Sequence, residues 1–264
     1  VEESRLRDDM FRRDFTINAM AIAINSQRYG ELIDYYGGLR DLKQGEIRFL
    51  HNLSFIEDPT RILRALRFAA RYGFRLAKET QEAIYTALEN GVLGKLSSER
   101  FTEEFILMLD EEKFGSMGQF LMEMGIFEEW FQVALPWDFS HPLLNEEGLP
   151  EKKWLLTLRK MEPSHIPLLQ KRLRLAREWT VLTLKYLETK EKLINLRASY
   201  SNMEEGKDEA LPLKELDEIF WGAPSLLLDV FQLDEQWEKE ILRYRERVGN
   251  IHQSINGTDL MAWG

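Results

Sequence analysis

The pattern of hydrophobic and polar positions divides the chain into a short mixed segment and a long helical one. In residues 1–50, short apolar runs alternate with turns rich in Gly and Asp, which is typical of short strands. We predict strands near 21–24, 31–34 and 46–49, a short helix within 14–21, and a second short helix after a turn at Gly37 and Gly38. These strands are too few for a free-standing sheet.

Beyond residue 50, apolar residues recur at the spacing of an amphipathic helix, and Gly and Pro residues interrupt them. The pattern predicts helices near 58–72, 78–89, 97–110, 115–124, 151–160, 167–188, 213–219, 224–229 and 234–252. The predicted fold class is therefore mainly α, with a small α/β remnant at the start followed by all-helical parts.

The amino-acid composition excludes several kinds of functional site. The chain has 264 residues, a formal net charge of −10 and no cysteine, which excludes a disulfide scaffold, a thiolate zinc site and a cysteine nucleophile. No run approaches the roughly 18 consecutive apolar residues of a membrane span, and the first residues do not resemble a signal peptide. We expect a cytoplasmic protein with no membrane partner.

An acidic total usually argues against a nucleic-acid partner, but the charge is uneven along the chain. Residues 1–75 contain 13 Lys and Arg against 11 Asp and Glu, whereas residues 76–264 contain 22 against 34. All the early cations except Lys43 are arginines, whose planar fork suits phosphate and base edges. The acidic total therefore does not exclude a nucleotide or RNA ligand of the first 75 residues.

The most specific local feature is the run from Glu57 to Phe74. Asp58 before Pro59 predicts a helix N-cap followed by proline at the first helical position. At helical spacing, one face is apolar and the opposite face carries five arginines: Arg61, Arg64, Arg67, Arg71 and Arg75. Because no acid lies between Asp58 and Glu79, this face favours anion binding over a purely structural network of ion pairs.

Asp58 and Arg61 lie three residues apart, on one face of the first turn. An acceptor beside a donor fork matches the Watson–Crick edges of cytosine and adenine, which offer an amine and a ring-nitrogen acceptor. Uracil and guanine present the reverse order and would leave buried groups unpaired, at a cost of about 1 to 3 kcal/mol each. The pair could therefore select C and A, although Asp58 as a simple N-cap needs no such role.

A second motif occupies residues 8–21. Arg12 and Arg13 precede Asp14, and Asn18 follows four residues later. This set suits a nucleoside triphosphate, with Arg on phosphate oxygens, Asp on a ribose hydroxyl and Asn as a positioning hydrogen bond.

A third motif occupies residues 96–105, where Ser97 or Ser98 is predicted to cap a helix. Four charged residues follow at spacings that favour ion pairs within the helix: Glu99, Arg100, Glu103 and Glu104. We expect this motif to support the arginine helix rather than to act in catalysis.

Together these residues resemble the class II tRNA nucleotidyltransferase and poly(A) polymerase family. ArgArgAspPheThrIleAsnAlaMet at 12–20 is similar to its second motif, and AspTyrTyrGlyGlyLeuArgAspLeu at 34–42 to its flexible third motif. GluAspProThrArgIleLeuArgAlaLeuArgPheAla at 57–69 resembles the base-selecting fourth motif, and SerSerGluArgPheThrGluGluPhe at 97–105 the fifth. Four motifs in the family's order, within about 100 residues, make this a specific match.

The resemblance implies a domain organisation. Residues 1–50 would be the end of a nucleotidyltransferase head, 51–110 a neck that selects the base, 111–190 a helical body and 191–264 a helical tail. The body and tail would grip the acceptor arm of tRNA, and IleAsnGlyThrAspLeuMetAlaTrpGly at 255–264 is similar to an element near the family's C-terminal tail. The amino-acid sequence of residues 51–62 resembles that of the bacterial subgroup in which this module follows DHH-type and CBS domains.

One departure from the family is large. Its first motif, in which an AspXaaAsp pair holds two Mg²⁺ ions, would precede residue 1. Asp8 and Asp9 are adjacent, so they cannot point from one face of a strand as an alternating pair does. We therefore expect a fragment that contains no catalytic or metal-binding residue of its own and does not add nucleotides alone.

The resemblance implies a tRNA 3′-end nucleotidyltransferase that adds A, or C and A, from ATP and CTP. Its nucleotide-binding residues in this chain would be Arg12, Arg13, Asp14, Asn18, Asp58, Arg61, Arg64 and Arg67. Three alternatives stay open: poly(A) addition within the same family, a non-catalytic RNA-binding helical module, and a structural or interaction protein.

Overall fold

The computed structural model describes residues 3–51, 53–201 and 210–249. The chain divides into two compact units, residues 1–161 with 165–176, and residues 162–164 with 177–264. The tail-like element at 255–264 lies outside the described residues. No helix in the described part combines the length and apolarity needed to cross a membrane.

The first unit opens with a small α/β portion. Its elements are α1 (Glu3–Phe11), a 3-10 turn (Thr16–Asn18), β1 (Met20–Ile22), β2 (Leu32–Asp34), α2 (Gly38–Gln44) and β3 (Glu46–Ile47). β1 and β2 are antiparallel, with Ala21 opposite Ile33, while β3 pairs in parallel with β4 (Arg75–Leu76). The three predicted strands are present, whereas α1 and the two-residue β4 were not predicted.

The predicted turn at Gly37 and Gly38 has a clear physical cause. Gly37 has a φ of 79°, and a Cβ at Gly38 would collide with the carbonyl of Thr16. The carboxylate of Asp34 accepts the backbone N–H groups of Gly37, Gly38 and Leu39 at 2.8 to 2.9 Å. Although burial acts to raise the pKa of Asp34, these hydrogen bonds hold it below the usual range. The turn therefore fixes the start of α2.

The remainder of the first unit is helical. Its helices are α3 (Ser54–Glu57), α4 (Thr60–Tyr72), α5 (Lys78–Glu89), α6 (Ser98–Leu109), α7 (Phe114–Glu123), α8 (Ile126–Phe131), α9 (Pro150–Thr157) and α10 (Ile166–Arg172). The core under α6 is aromatic: the rings of Phe101 and Trp130 stack at 3.7 Å, and Phe105 packs against Trp137 and Trp154. This core fixes α6, which packs against α4.

The second unit contains α11 (Arg177–Ser201), α12 (Leu213–Phe220), α13 (Ser225–Gln232) and α14 (Glu238–Gly249). Tyr186 stacks on Phe231 at 5.1 Å, and Phe220 meets the edge of the same ring. α14 begins four residues later than predicted, because Asp234 forms a turn with Gln236 and Trp237.

The prediction of a mainly α fold is confirmed, but the single helix predicted at 167–188 is wrong. The helix breaks after Arg172 because Leu173 takes an extended conformation and buries its side chain, and α11 then runs from Arg177 to Ser201. The four-part division stays a prediction, and its boundary at 190 falls inside the continuous α11.

Candidate nucleotide-binding site

The candidate site lies at the N-terminal end of α4. The helix begins at Thr60 with Pro59 in the N-cap position, so the predicted cap at Asp58 is one residue early. Asp58 still stabilises this end, because its Oδ1 accepts the backbone N–H of Thr60 at 3.1 Å and also the Thr60 hydroxyl. At the other end, Gly73 in the left-handed region (φ 66°) terminates the helix.

A cavity of about 420 Å³ opens beside this helix end. Its lining residues come from the second and fourth motifs: Arg13, Asp14, Asn18, Asp58, Arg61 and Arg64. Six of the eight residues predicted to bind nucleotide therefore surround one cavity. Its wall contains three guanidinium groups and two carboxylates.

The predicted base-reading pair is held by internal hydrogen bonds. Arg61 donates from Nη1 to Ser54 Oγ at 2.7 Å and from Nη2 to the Arg12 carbonyl at 2.9 Å. Its Nε lies 3.9 Å from Asp58 Oδ2. Both Nη partners are neutral oxygens, so Asp58 is the one carboxylate that pairs with this guanidinium among the described residues.

Asp58 receives a second element of support from α6. Arg100 donates from Nη2 to Asp58 Oδ2 at 2.7 Å and to Thr60 Oγ1 at 2.9 Å. Although burial acts to raise the pKa of Asp58, the bonds from Thr60 and Arg100 hold it below its ordinary value. Asp58 is thus ionised at neutral pH and can only accept hydrogen bonds.

Asp14 ties the second motif to α4. Its Oδ2 accepts from Arg64 Nη2 at 2.6 Å and Nε at 2.9 Å, and its Oδ1 accepts the amide of Asn18 at 2.9 Å. Arg13 is more exposed, with a 3.6 Å ion pair to Asp9. Arg12 does not line this cavity; its carbonyl holds Arg61 instead.

The expected ladder of five arginines is not one uniform face. Arg67 is buried, with its Nε 3.0 Å from Glu104 Oε2, and Arg71 lies 2.6 Å from Glu111. Arg75 falls in β4, beyond the end of the helix, and pairs with Glu46 at 2.8 Å. Carboxylates distant in sequence therefore partner this half of the ladder, and the expectation that the whole face awaits an anion is wrong.

The motif at residues 96–105, which resembles the family's fifth motif, also differs from expectation. Ser97 is the N-cap of α6 and accepts the Arg100 N–H, but the predicted pairs within the helix are not formed. Arg100 reaches Asp58, and Glu104 reaches Arg64 and Arg67, both across to the fourth motif. Two further residues of this motif point elsewhere: Glu99 pairs with Arg174 at 2.6 Å, and Glu103 is exposed.

Sequence reasoning missed three residues that shape the site: Ser54, Thr60 and Glu111. Their partners lie seven, 40 and about 40 residues away in sequence. Helical spacing does not predict the bond between Ser54 and Arg61, because Ser54 lies in α3 and Arg61 in α4, on either side of the extended Asp58.

The residues described here do not fit the Mg²⁺ site that the resemblance implies. Within 3–51, 53–201 and 210–249, no group of three or more His, Cys, Asp or Glu side chains could hold a metal ion.

Two family models match parts of the chain. Residues 1–48 match the family described as "Poly A polymerase head domain". Residues 73–136 match "Probable RNA and SrmB- binding site of polymerase A".

Curated relatives match about half of the chain. An A-adding tRNA nucleotidyltransferase of Aquifex aeolicus is 49% identical over 129 residues, which is 49% of this chain and 16% of the relative. A multifunctional CCA protein of Neisseria gonorrhoeae is 44% identical over 131 residues, covering 50% of this chain and 30% of the relative. The chain thus spans less than a third of these relatives.

Solved structures resemble the chain over most of its length. A Thermotoga maritima CCA-adding enzyme complexed with tRNA has a TM-score of 0.72 at 27% identity, covering 98% of this chain and 65% of that one. A tRNA nucleotidyltransferase complexed with a primer tRNA and an incoming ATP analogue has a TM-score of 0.71 at 31% identity, covering 94% and 75%. With its motifs in the family's order around one cavity, the chain belongs to the class II tRNA nucleotidyltransferase and poly(A) polymerase family.

Proposed function

We propose that this chain selects the nucleotide and binds the RNA in a tRNA 3′-end nucleotidyltransferase that adds A, or C and A, from ATP and CTP. The observation that carries the proposal is the cavity that joins Asp58 and Arg61 to Arg13 and Arg64. One end offers the acceptor and donor that adenine and cytosine need, and the other offers cations for a triphosphate. The A-adding and CCA-adding relatives support this reading.

The structure suggests a role for each residue of the site. Asp58 and Arg61 read the base edge, while Arg13 and Arg64 bind phosphate oxygens. Asn18 is bonded to Asp14 and positions that carboxylate, which also orients Arg64 and lies where a ribose hydroxyl can approach. Arg12 acts mainly through the carbonyl that holds Arg61.

The fifth motif is proposed to support this site. Arg100 orients Asp58, and Glu104 connects Arg64 with the buried Arg67. Arg67 is therefore proposed as part of that support rather than as a phosphate ligand. Glu99 and Glu103 lie on the same helix and are not part of the cavity lining.

Three further parts of the proposal come from the family. The partner would be the acceptor arm of tRNA, bound by the helical parts. Mg²⁺ would be held by residues of the complete head other than those described, and the setting would be the cytoplasm.

The test is equilibrium binding of ATP, CTP, GTP and UTP to the 264-residue chain, followed by binding of a tRNA that lacks its 3′-terminal A. We expect ATP and CTP to bind at least about fivefold more tightly than GTP and UTP, because each unpaired polar group in the mismatched complexes costs about 1 to 3 kcal/mol. Equal binding of all four nucleotides would overturn base selection. Binding of the tRNA without nucleotide discrimination would instead favour the non-catalytic RNA-binding module.

A further inference from the structure

A second cavity, of about 490 Å³, lies next to the first and is assigned to no ligand by the proposed function. Its lining combines aromatic, cationic and apolar side chains: Phe11, Arg12, His51, Leu53, Glu57 and Arg61. Arg61 lines both cavities, so their occupants would be neighbours.

Phe11 provides an aromatic surface in this cavity. Its ring stacks on His51 at a centroid distance of 4.9 Å and an interplanar angle of 30°, and Tyr36 lies 5.9 Å away. Phe11 is nonetheless 44% exposed. A planar ligand can therefore extend the existing stack of His51 and Phe11.

The charges around this ring favour an anionic ligand. Within the described residues, Arg12 has no carboxylate partner. Arg61 donates to the Ser54 hydroxyl and the Arg12 carbonyl, and its Nε lies 3.9 Å from Asp58 Oδ2. The one carboxylate in the lining, Glu57, lies 3.6 Å from His51 Nε2. Two guanidinium groups beside an exposed ring form the combination that binds single-stranded nucleic acid, with cations on the backbone and the ring on a base.

We propose that this second cavity binds an unpaired nucleobase at the 3′ end of the RNA acceptor, stacked on Phe11, with its phosphate beside Arg12. The inference rests on the proposed function, because nucleotide addition requires the acceptor end to lie next to the incoming nucleotide. Arg61 meets this requirement by bordering both cavities. The base would stack on the face of Phe11 that His51 does not cover.

The test uses the whole 264-residue chain and an RNA hairpin whose unpaired 3′ overhang ends in 2-aminopurine. Stacking on Phe11 should quench the fluorescence of this base on binding. In Phe11→Leu, which keeps an apolar side chain but removes the ring, we expect the quench to disappear and the affinity for the overhang hairpin to fall about fivefold or more. Phe11→Tyr keeps the ring and should restore both.

Two controls make the result specific. Tyr85→Leu removes another half-exposed ring of the same unit, outside the cavity lining, and should leave binding unchanged. A blunt hairpin should bind wild type and Phe11→Leu equally. The proposal is overturned if the wild-type chain does not quench the overhang base, if Phe11→Leu quenches it fully, or if Phe11→Leu weakens the blunt hairpin equally. The ATP to GTP affinity ratio, measured in parallel, tests the proposed function separately.

Discussion

The two halves of the polar face of α4 contain the same residue type at the same helical spacing and yet differ in environment. In the N-terminal half, Arg61 and Arg64 line an open cavity. Arg61 donates to two neutral oxygens, whereas Arg64 pairs with the carboxylates of Asp14 and Glu104. In the C-terminal half, Arg67 and Arg71 meet the carboxylates of Glu104 and Glu111. The two halves therefore differ in their access to the cavity, although carboxylates contact arginines in both.

The difference arises from where α6 and the residues after it approach α4. Glu104 and Glu111 are almost fully buried, and burying their charged carboxylates without cationic partners would be destabilising. They therefore pair with the arginines of the C-terminal half. Near the N-terminal end of α4, the residue of α6 that approaches is the cation Arg100 rather than a carboxylate. Arg100 pairs with Asp58 and orients it. We therefore expect substitutions in the C-terminal half to affect stability and those in the N-terminal half to affect ligands.

The largest effect is expected from Arg67→Ala. Its side chain is 6% exposed, and its loss leaves Glu104 and Glu111 buried with less compensation. We expect the free energy of unfolding to fall by about 3 kcal/mol in urea denaturation. Arg61→Ala, the matched change in the other half, should cost less, about 1 to 2 kcal/mol, because its hydrogen-bond partners are neutral oxygens. Equal losses for the two variants would show that the halves do not differ.

Arg64→Gln should produce the next largest effect, on affinity. We expect the dissociation constants of ATP, CTP, GTP and UTP to rise by a similar factor of about ten, because all four nucleotides carry the same triphosphate. Isothermal titration calorimetry measures all four. A loss confined to one base would contradict the phosphate role.

A smaller effect is expected from Arg100→Gln, which releases Asp58 Oδ2 from α6. The ion pair is half exposed, so the ATP to GTP affinity ratio should fall about threefold, with little change in stability. Competition binding measures the ratio. Arg174→Gln, which breaks the exposed pair with Glu99 on the same helix, should leave the ratio as it is; an equal fall there would show that Arg100 has no specific positioning role.

The smallest effect is expected from pH. The pKa of Asp58 is held below its usual value of 3.8, so its ionised form and its stabilising bonds are fully present above that value. They are lost only as the pH falls through the lower pKa of the folded state. Between about pH 5 and pH 8, the contribution of Asp58 to the ATP to GTP ratio should change less than about twofold. A midpoint inside this range, present in wild type and absent in Asp58→Ala, would contradict the assigned ionisation.

Much of the fold, and most of the residues that line the first cavity, could be predicted from the sequence. Helical periodicity located α4, α5 and α6, and motif residues separated by about 45 positions proved to line one cavity. Periodicity did not reveal the break at Leu173, because a buried leucine fits a helical pattern whether or not the backbone is helical. It also could not assign Glu104 to Arg67, since an ion pair between two helices depends on their packing.

The central claim is that Asp58, at the N-terminal end of α4, reads the nucleotide base. It is tested most directly by the ratio of the GTP to the ATP dissociation constant in the wild-type chain, Asp58→Ala and Arg71→Ala. We predict a wild-type ratio of at least about five, a ratio near one in Asp58→Ala, and the wild-type ratio in Arg71→Ala. If the wild-type ratio is high and Asp58→Ala keeps it while losing about 1 kcal/mol of stability, Asp58 only stabilises the helix end and the claim is contradicted.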